Sequence, residues 1–321
     1  MPSLDLRHAL VGFALIVAGT LALVSGGLTL PATAQQQAAE QGQPDWKRVE
    51  EALGKAGQAQ PGGVYRVAMP RTDLTVRVQG VDVKAGFALG SYAAFKNMGK
   101  DAMVMGDLVL LDEEVSEVMT RLLKRGILVT ALHNHLNEIS PHVMYMHYSG
   151  RGDAGQVATA LRDALSASGT PLGQAAAEAS APAGGPEIDQ KQIEAALGRP
   201  GRLNSGILQV SVARAEKITE NGIELLPAMG VNTALNFQAT GDAKVAITGD
   251  FVLIAREVNP VAKALREHGI QVTAVHNHAL ADNPRLFYMH FWANDDAVKL
   301  AKGLKAALDL TNSKKADQAS K

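Results

Sequence analysis

"VTALHNHLNEISPHVMYMHY", residues 129–148, has a counterpart further along the chain: "VTAVHNHALADNPRLFYMHF", residues 272–291. Ten of the twenty aligned positions are identical. The spacing of 143 residues that relates them also pairs Gly106-Asp107 with Gly249-Asp250, Glu114-Val115 with Glu257-Val258, and Gly126 with Gly269. Towards the N-terminus the spacing drifts by one, with "VEEALG" (49–54) answering "IEAALG" (193–198) and Phe95 answering Phe237. A period this long is no solenoid repeat. It is the duplication of a domain-sized unit, covering residues 45–166 and 188–310. Residues 167–187 between the copies are rich in Ala, Gly, Ser and Pro, the composition of a linker. The tail 311–321 is expected to be flexible, as is the segment 35–44.

Within each unit the hydrophobic period changes in a fixed order. A short helix opens it, at 45–55 or 189–198. Residues 64–111 then alternate with period two through "VYRVAMP", "LTVRVQGVDV", "GSYAAFKN" and "AMVMGDLVLL", which predicts successive antiparallel strands. "DEEVSEVMTRLLKRG" (112–126) has Val115, Val118, Met119, Leu122 and Leu123 at helical spacing. Its acidic start and basic end suit the helix dipole, and Gly126 is a natural stop. Two strands, "ILVTALHNH" and "HVMYMHY", and a closing helix over 153–168 complete the unit. The expected fold class is α+β: strands, then βαββα, as a mainly antiparallel sheet with helices packed on one face, built twice.

At 321 residues the chain has room for two domains. Its 46% hydrophobic and 20% charged residues are a globular balance, not that of a disordered chain. A net charge of −1 lacks the basic footprint of a nucleic-acid binder and gives no electrostatic hold on anionic lipid. Arg7 and His8 precede an apolar run from Ala9 to Leu30, and Ala32-Thr33-Ala34 fits a small-x-small cleavage site. Residues 1–34 therefore read as a signal peptide cut between Ala34 and Gln35, giving a periplasmic or secreted protein with no stable membrane insertion. The chain has no cysteine, so disulfides and thiolate metal sites are excluded. It has no P-loop and no G-x-S-x-G, so neither a nucleotide cofactor nor that serine nucleophile is expected. The contiguous letters His-Asn-His are not the dispersed residues of an HNH nuclease.

The candidate chemistry lies in the repeated histidines. Alternate residues of a strand share a face, so His133 and His135 point the same way, with Val129 and Ala131 continuing that face. His147 lies on the next strand. If it pairs directly opposite His133 the three imidazoles converge, with 136–144 as the connecting loop. A slip of one residue would turn it to the other face. The second copy offers His276, His278 and His290 at the same spacing. Three neutral imidazoles suit a divalent transition metal, Zn²⁺, Cu²⁺, Ni²⁺ or Fe²⁺, with a position left for water. A metal-bound water would make the site a hydrolase. Asp107, Glu114, Asp250 and Glu257 recur in both copies and are the candidates for acid/base catalysis or for supporting the ligands, whereas Glu138 and Asp282 do not align. The bland alternative is a non-enzymatic module whose histidines only hydrogen-bond, binding an envelope component, a small molecule or a protein partner. A two-fold arrangement of the copies would bring both histidine sets to one central cleft.

The series "GDLVLLDEEV…LLKRGILVTALHNHL…YMHYSGRGD", with its echo "GDFVLIAREVNP…HGIQVTAVHNHAL…PRLFYMHFW", resembles the DUF1259 family, also called the LppY/LpqO family. The resemblance covers nearly all of residues 45–310. Some members of that family look like bacterial envelope lipoproteins. This chain lacks the lipid-accepting cysteine, so the resemblance implies a soluble periplasmic or secreted form. It implies no particular activity.

Overall fold

The ten residues Ala102–Leu111 are buried along almost their whole length, which marks a strand covered on both faces. Alternate side chains go to different cores. Ala102, Val104, Leu108 and Leu110 join a cluster with the helices of their own copy, whereas Met103, Met105 and Val109 join clusters that contain residues of the other copy. That division places each sheet between its own helices and the opposite sheet. The structure, a computed structural model, describes residues 44–173 and 187–315. The expected signal segment 1–34 with its expected cleavage site, residues 35–43, linker residues 174–186 and tail residues 316–321 lie outside the described residues.

In chain order the first copy is α1 (Trp46–Leu53), β1 (Gln58–Gln60), β2 (Val64–Pro70), β3 (Val76–Val78), β4 (Val81–Val83), α2 (Ala85–Ala88), β5 (Gly90–Asn97), β6 (Ala102–Leu111), α3 (Asp112–Lys124), β7 (Leu128–His133), β8 (Ile139–Ser140), β9 (Val143–Gly152) and α4 (Ala154–Leu165). The second repeats it: α5 (Gln190–Leu197), β10 (Arg202–Asn204), β11 (Ile207–Ala213), β12 (Ile218–Glu220), β13 (Ile223–Leu225), a 3₁₀ turn (Pro227–Met229), β14 (Asn232–Gly241), β15 (Lys244–Ile254), α6 (Ala255–Glu267), β16 (Gln271–His276), β17 (Asp282–Asn283), β18 (Leu286–Asp296) and α7 (Ala297–Leu308). Each copy forms a six-stranded antiparallel sheet, β1-β2-β5-β6-β9-β7 and β10-β11-β14-β15-β18-β16. The α+β layout read from the sequence is what the chain adopts. Among the described residues no helix is long and apolar enough to cross a membrane.

The stretch "LTVRVQGVDV" is a hairpin arm rather than a strand of the main sheet: β3 pairs with β4 and with β8, and in the second copy β12 pairs with β13 and with β17. The first arm leans on the other copy. Lys84 N–H donates to Gln238 Oε1 (2.8 Å), Gln238 Nε2 to the Asp82 carbonyl (2.8 Å) and Asn236 Nδ2 to the Phe87 carbonyl (3.1 Å). Phe87 meets Trp292 edge to face, ring centroids 6.2 Å apart, a contact worth about 1 kcal/mol beyond its burial. In return Ile218, Leu225 and Met229 pack on Val64, Tyr92, Met103 and Met105.

Glu114 and Glu257 sit at the first turns of α3 and α6, where each accepts the N–H just before its helix. Glu114 also grips Arg71, which is fully buried, through both carboxylate oxygens (2.7 and 3.1 Å), and Glu257 grips Arg214 in the same way (2.7 and 3.0 Å). Asp73 and Glu216 take the other side of those guanidinium groups. The segments after the closing helices finish the arrangement: Gly169 N–H donates to Glu114 and Asn312 N–H to Glu257. The start of the expected linker and the start of the expected flexible tail are therefore fixed, because each supplies a donor to a buried carboxylate. Lys314 N–H pairs further with the Ala213 carbonyl.

Candidate metal centre

The strand register decides which way the histidines face. On β7, Ala131 lies opposite His147 and His133 opposite Tyr145. On β16, Ala274 lies opposite His290 and His276 opposite Tyr288. His133 is thus two residues from direct pairing with His147, and a two-residue shift keeps both on one face. The register also breaks between Val129 and Ala131, and between Val272 and Ala274, a bulge at Thr130 and Thr273. The bulge corrects one expectation: Val129 packs with the helix-side core and does not continue the histidine face.

The bulged threonines tie the copies together. Thr130 Oγ1 donates to the carbonyl of His278, and Thr273 Oγ1 to the carbonyl of His135, each at 2.5 Å. Asn277 Nδ2 donates to the Thr130 carbonyl (3.0 Å). These reciprocal bonds put the two His-Asn-His turns side by side across a pseudo-two-fold axis.

All six repeated histidines meet there. The rings of His133 and His276 stack with centroids 3.5 Å apart. His135 stacks on His290 at 3.6 Å and His147 on His278 at 3.8 Å, so each outer pair joins the two copies. Tyr145 and Tyr288 close the stack against His135 and His278, at 3.4 and 3.3 Å. One nitrogen from each of His133, His135, His147 and His276 falls within 4.8 Å of the others.

The environment keeps these rings neutral. Burial lowers all six pKa values, and neighbouring imidazoles lower most of them further. His133 is held at about 4 and His276 at about 3, against an ordinary value near 6.5. Nδ1 of His133 faces the Asn134 carbonyl (3.2 Å), and Nδ1 of His276 faces the Asn277 carbonyl (3.1 Å). The proton of each neutral ring therefore sits on Nδ1, and Nε2 presents a lone pair. Nε2 of every one of the six is buried and has no hydrogen-bond partner. One such atom left unmatched typically costs about 1–3 kcal/mol.

Asp107 and Asp250 stand beside the rings on the central strands, paired in register with His147 and His290. Asp107 Oδ1 lies 3.8 Å from His147 Nδ1, and Asp250 Oδ2 lies 4.0 Å from His278 Nε2. Burial raises both carboxyls, Asp107 further because of Asp250 and Asp250 to about 7. The glycine before each aspartate has a steric reason: a Cβ would stand 2.2 Å from the Tyr92 carbonyl at Gly106 and 1.9 Å from the Ala234 carbonyl at Gly249. Only glycine lets the central strand lie this close to its neighbour.

The other candidates fall elsewhere. Glu114 and Glu257 are held by Arg71 and Arg214, and none of their hydrogen bonds reaches a histidine. Asp282 binds Arg285 and the Leu286 N–H. His142 faces Asp112, and His268 bonds to the Ala264 carbonyl at its helix end. Thr130, Thr273, Arg71 and Arg214 were not singled out as functional in the sequence, although all four recur at the 143-residue spacing.

A family model described as "Domain of Unknown Function (DUF1259)" matches residues 47–167 and again residues 191–310. No curated protein matches the chain. Among solved structures, a trimeric bacterial microcompartment shell protein, PduB, aligns at 10% identity over 81% of this chain and 91% of its own, with a TM-score of 0.22. EtuB from Clostridium kluyveri aligns at 10% identity over 80% and 90%, with a TM-score of 0.19. Scores this low carry no structural argument.

Proposed function

Given that the chain belongs to the DUF1259 family, which it contains in two tandem copies, we propose that it binds a divalent transition metal through the histidine centre the copies share. The observation that carries this reading is the set of six buried Nε2 atoms without partners. Histidines with a merely structural role would be expected to use both ring nitrogens. The donor set is nitrogen from uncharged imidazole, which suits Fe²⁺, Ni²⁺, Cu²⁺ or Zn²⁺ rather than Mg²⁺ or Ca²⁺. When bound, such an ion supplies Lewis acidity and positive charge. The residues of the chain do the rest: Asn134 and Asn277 carbonyls hold the outer edges of His133 and His276, and the Asp107 and Asp250 carboxyls, 3.8 and 4.0 Å from His147 Nδ1 and His278 Nε2, lie close enough to balance charge without hydrogen-bonding to a ring. Burial of every donor atom favours a protein that holds its ion over a hydrolase with an open coordination position. We place the protein outside the cytoplasm on the strength of residues 1–34, with Gln35 as the first residue of the mature chain.

The test is metal content by mass spectrometry on residues 35–321 purified without a histidine tag, beside a variant carrying His133→Ala, His135→Ala, His276→Ala and His278→Ala. Near-stoichiometric metal in the wild type, lost in a folded variant, is the expected result. A wild type that stays empty after challenge with Zn²⁺, Cu²⁺, Ni²⁺ and Fe²⁺ defeats the reading. Intact mass of the exported protein checks the cleavage: a chain beginning elsewhere than Gln35 would move or remove the proposed cut.

A further inference from the structure

We infer that the centre takes two ions, one in each copy's triplet of histidines, held face to face across the pseudo-two-fold axis and close enough to share one bridging hydroxide. This rests on the metal-binding reading above and adds the number of ions, their ligands and the anion between them.

The six rings form two layers. In the first copy the centroid of His133 lies 4.9 Å from that of His135 and 5.0 Å from that of His147, and His135 and His147 are 6.3 Å apart. Their planes differ by only 25°, 18° and 29°, so the three rings lie side by side in one layer. A circle through centroids so spaced has a radius of about 3.2 Å, which is about the distance from a ring centre to an ion held about 2.0–2.1 Å from Nε2. The layer is therefore the right size to close around one ion. One nitrogen from each of the three rings falls within 4.8 Å of the others, and all three Nε2 atoms are unpartnered. In the second copy His276 lies 5.2 Å from His278 and 4.8 Å from His290, the matching separations, and again each Nε2 is unpartnered.

The layers stack on each other without merging. His133 faces His276 at 3.5 Å, His135 faces His290 at 3.6 Å and His147 faces His278 at 3.8 Å. An imidazole lone pair lies in the plane of its ring, so the lone pairs of a layer meet within that layer and not midway between the two. His276 joins the close nitrogens of the first copy because it stands over His133, in the facing layer. One ion in each layer uses every lone pair along its own direction. The gap between the layers then sets the distance between the ions, and it matches the spacing of about 3.5–4 Å found in two-metal sites. Three ligands leave each ion an open position. Here those positions face each other rather than solvent, while Tyr145 and Tyr288 cover the outer faces of His135 and His278. Two divalent ions this close repel strongly. The carboxylates of Asp107 and Asp250 beside the rings offset two of the four charges. A bridging hydroxide, left when a water held between the ions gives its proton to solvent, offsets a third.

The experiment uses the chain from Gln35, purified without a tag, stripped of metal, loaded with Zn²⁺ alone or with Cu²⁺ alone, and gel-filtered. We expect two ions per chain. X-ray absorption on the Zn²⁺ form should show nitrogen at about 2.0–2.1 Å and a second zinc at about 3.5–4 Å. The Cu²⁺ form should lack the four-line paramagnetic resonance spectrum of isolated copper, because adjacent ions couple. His135→Phe and His278→Phe each keep a ring in the stack and remove one ligand from one copy. Either variant should hold one ion per chain, and its Cu²⁺ spectrum should become that of an isolated ion. One ion in the wild type would overturn the inference and leave metal binding intact. Two ions with no metal neighbour within about 4 Å would do the same. No ion in the wild type would overturn both readings. Loss of both ions from a single variant with unchanged circular dichroism would overturn the assignment of one ion to each copy. The wild-type count and spacing decide the inference even where a variant fails to fold.

Discussion

Glu114→Ala should lower the unfolding free energy by about 3 kcal/mol and leave the metal content of the folded protein unchanged. Arg71 is fully buried, and Glu114 is the more deeply buried of its two counter-ions. Removing one partner of a buried pair leaves the other charged and without its match, a loss of about 3–5 kcal/mol in comparable sites. The lower end applies because Asp73 stays on the guanidinium. Part of the loss comes from the N–H groups of Leu111 and Gly169, which give up their acceptor. A double variant, Arg71→Leu with Glu114→Leu, should lose less than Glu114→Ala, because the charge it leaves unmatched, on Asp73, is partly exposed rather than fully buried. Urea unfolding reads the change as a lower midpoint at constant slope. Unchanged stability with lost metal would return Glu114 to the centre as a functional acid.

Acidification should destabilise the metal-free protein steeply. Six histidines have folded pKa values below the ordinary one, His133 at about 4 and His276 at about 3. A depressed histidine binds its proton more readily in the unfolded chain. Its contribution is therefore complete above about pH 6.5 and is lost as pH falls towards the folded value. Asp107 and Asp250 act the other way: their folded pKa values are raised, Asp250 to about 7, so they gain stability over much of the same range. The histidines outnumber the aspartates, and each net proton is worth about 1.4 kcal/mol per pH unit. The thermal midpoint of the metal-free protein should drop by at least about 10 °C between pH 7 and pH 5. Changing His133 and His276 to Ala should flatten the slope. A midpoint that is level or rises on acidification would mean that the rings are not buried neutral together.

Much of the fold was legible because the period of the apolar residues changes cleanly at Asp112, Gly126 and Asp153, where helices begin or end. The face of each strand was readable up to Thr130. There the bulge resets the alternation, and no local property of Val-Thr-Ala announces it. The meeting of the two copies was a reading of duplication alone. Its details depend on contacts between residues 138 to 148 apart, such as Thr130 with His278, which spacing does not reveal. The six histidines stood out because they recur. Glu114 and Glu257 recur for another reason: a buried arginine needs them. Recurrence marks any role kept by both copies, packing as well as chemistry. The matching recurrence of Arg71 and Arg214 was the available sign that these acids already had partners.

Duplication ordinarily leaves a spare: one copy can lose its function while the other keeps it. The shared stack at the axis removes that freedom. His135 rests on a ring of the second copy and His278 on a ring of the first, so damage to either copy disturbs the rings of both. The helical layers escape this constraint, since each belongs to a single copy. Divergence should therefore accumulate on the outer helices and stall at the inner faces, where the fused pair evolves as one gene product without redundancy.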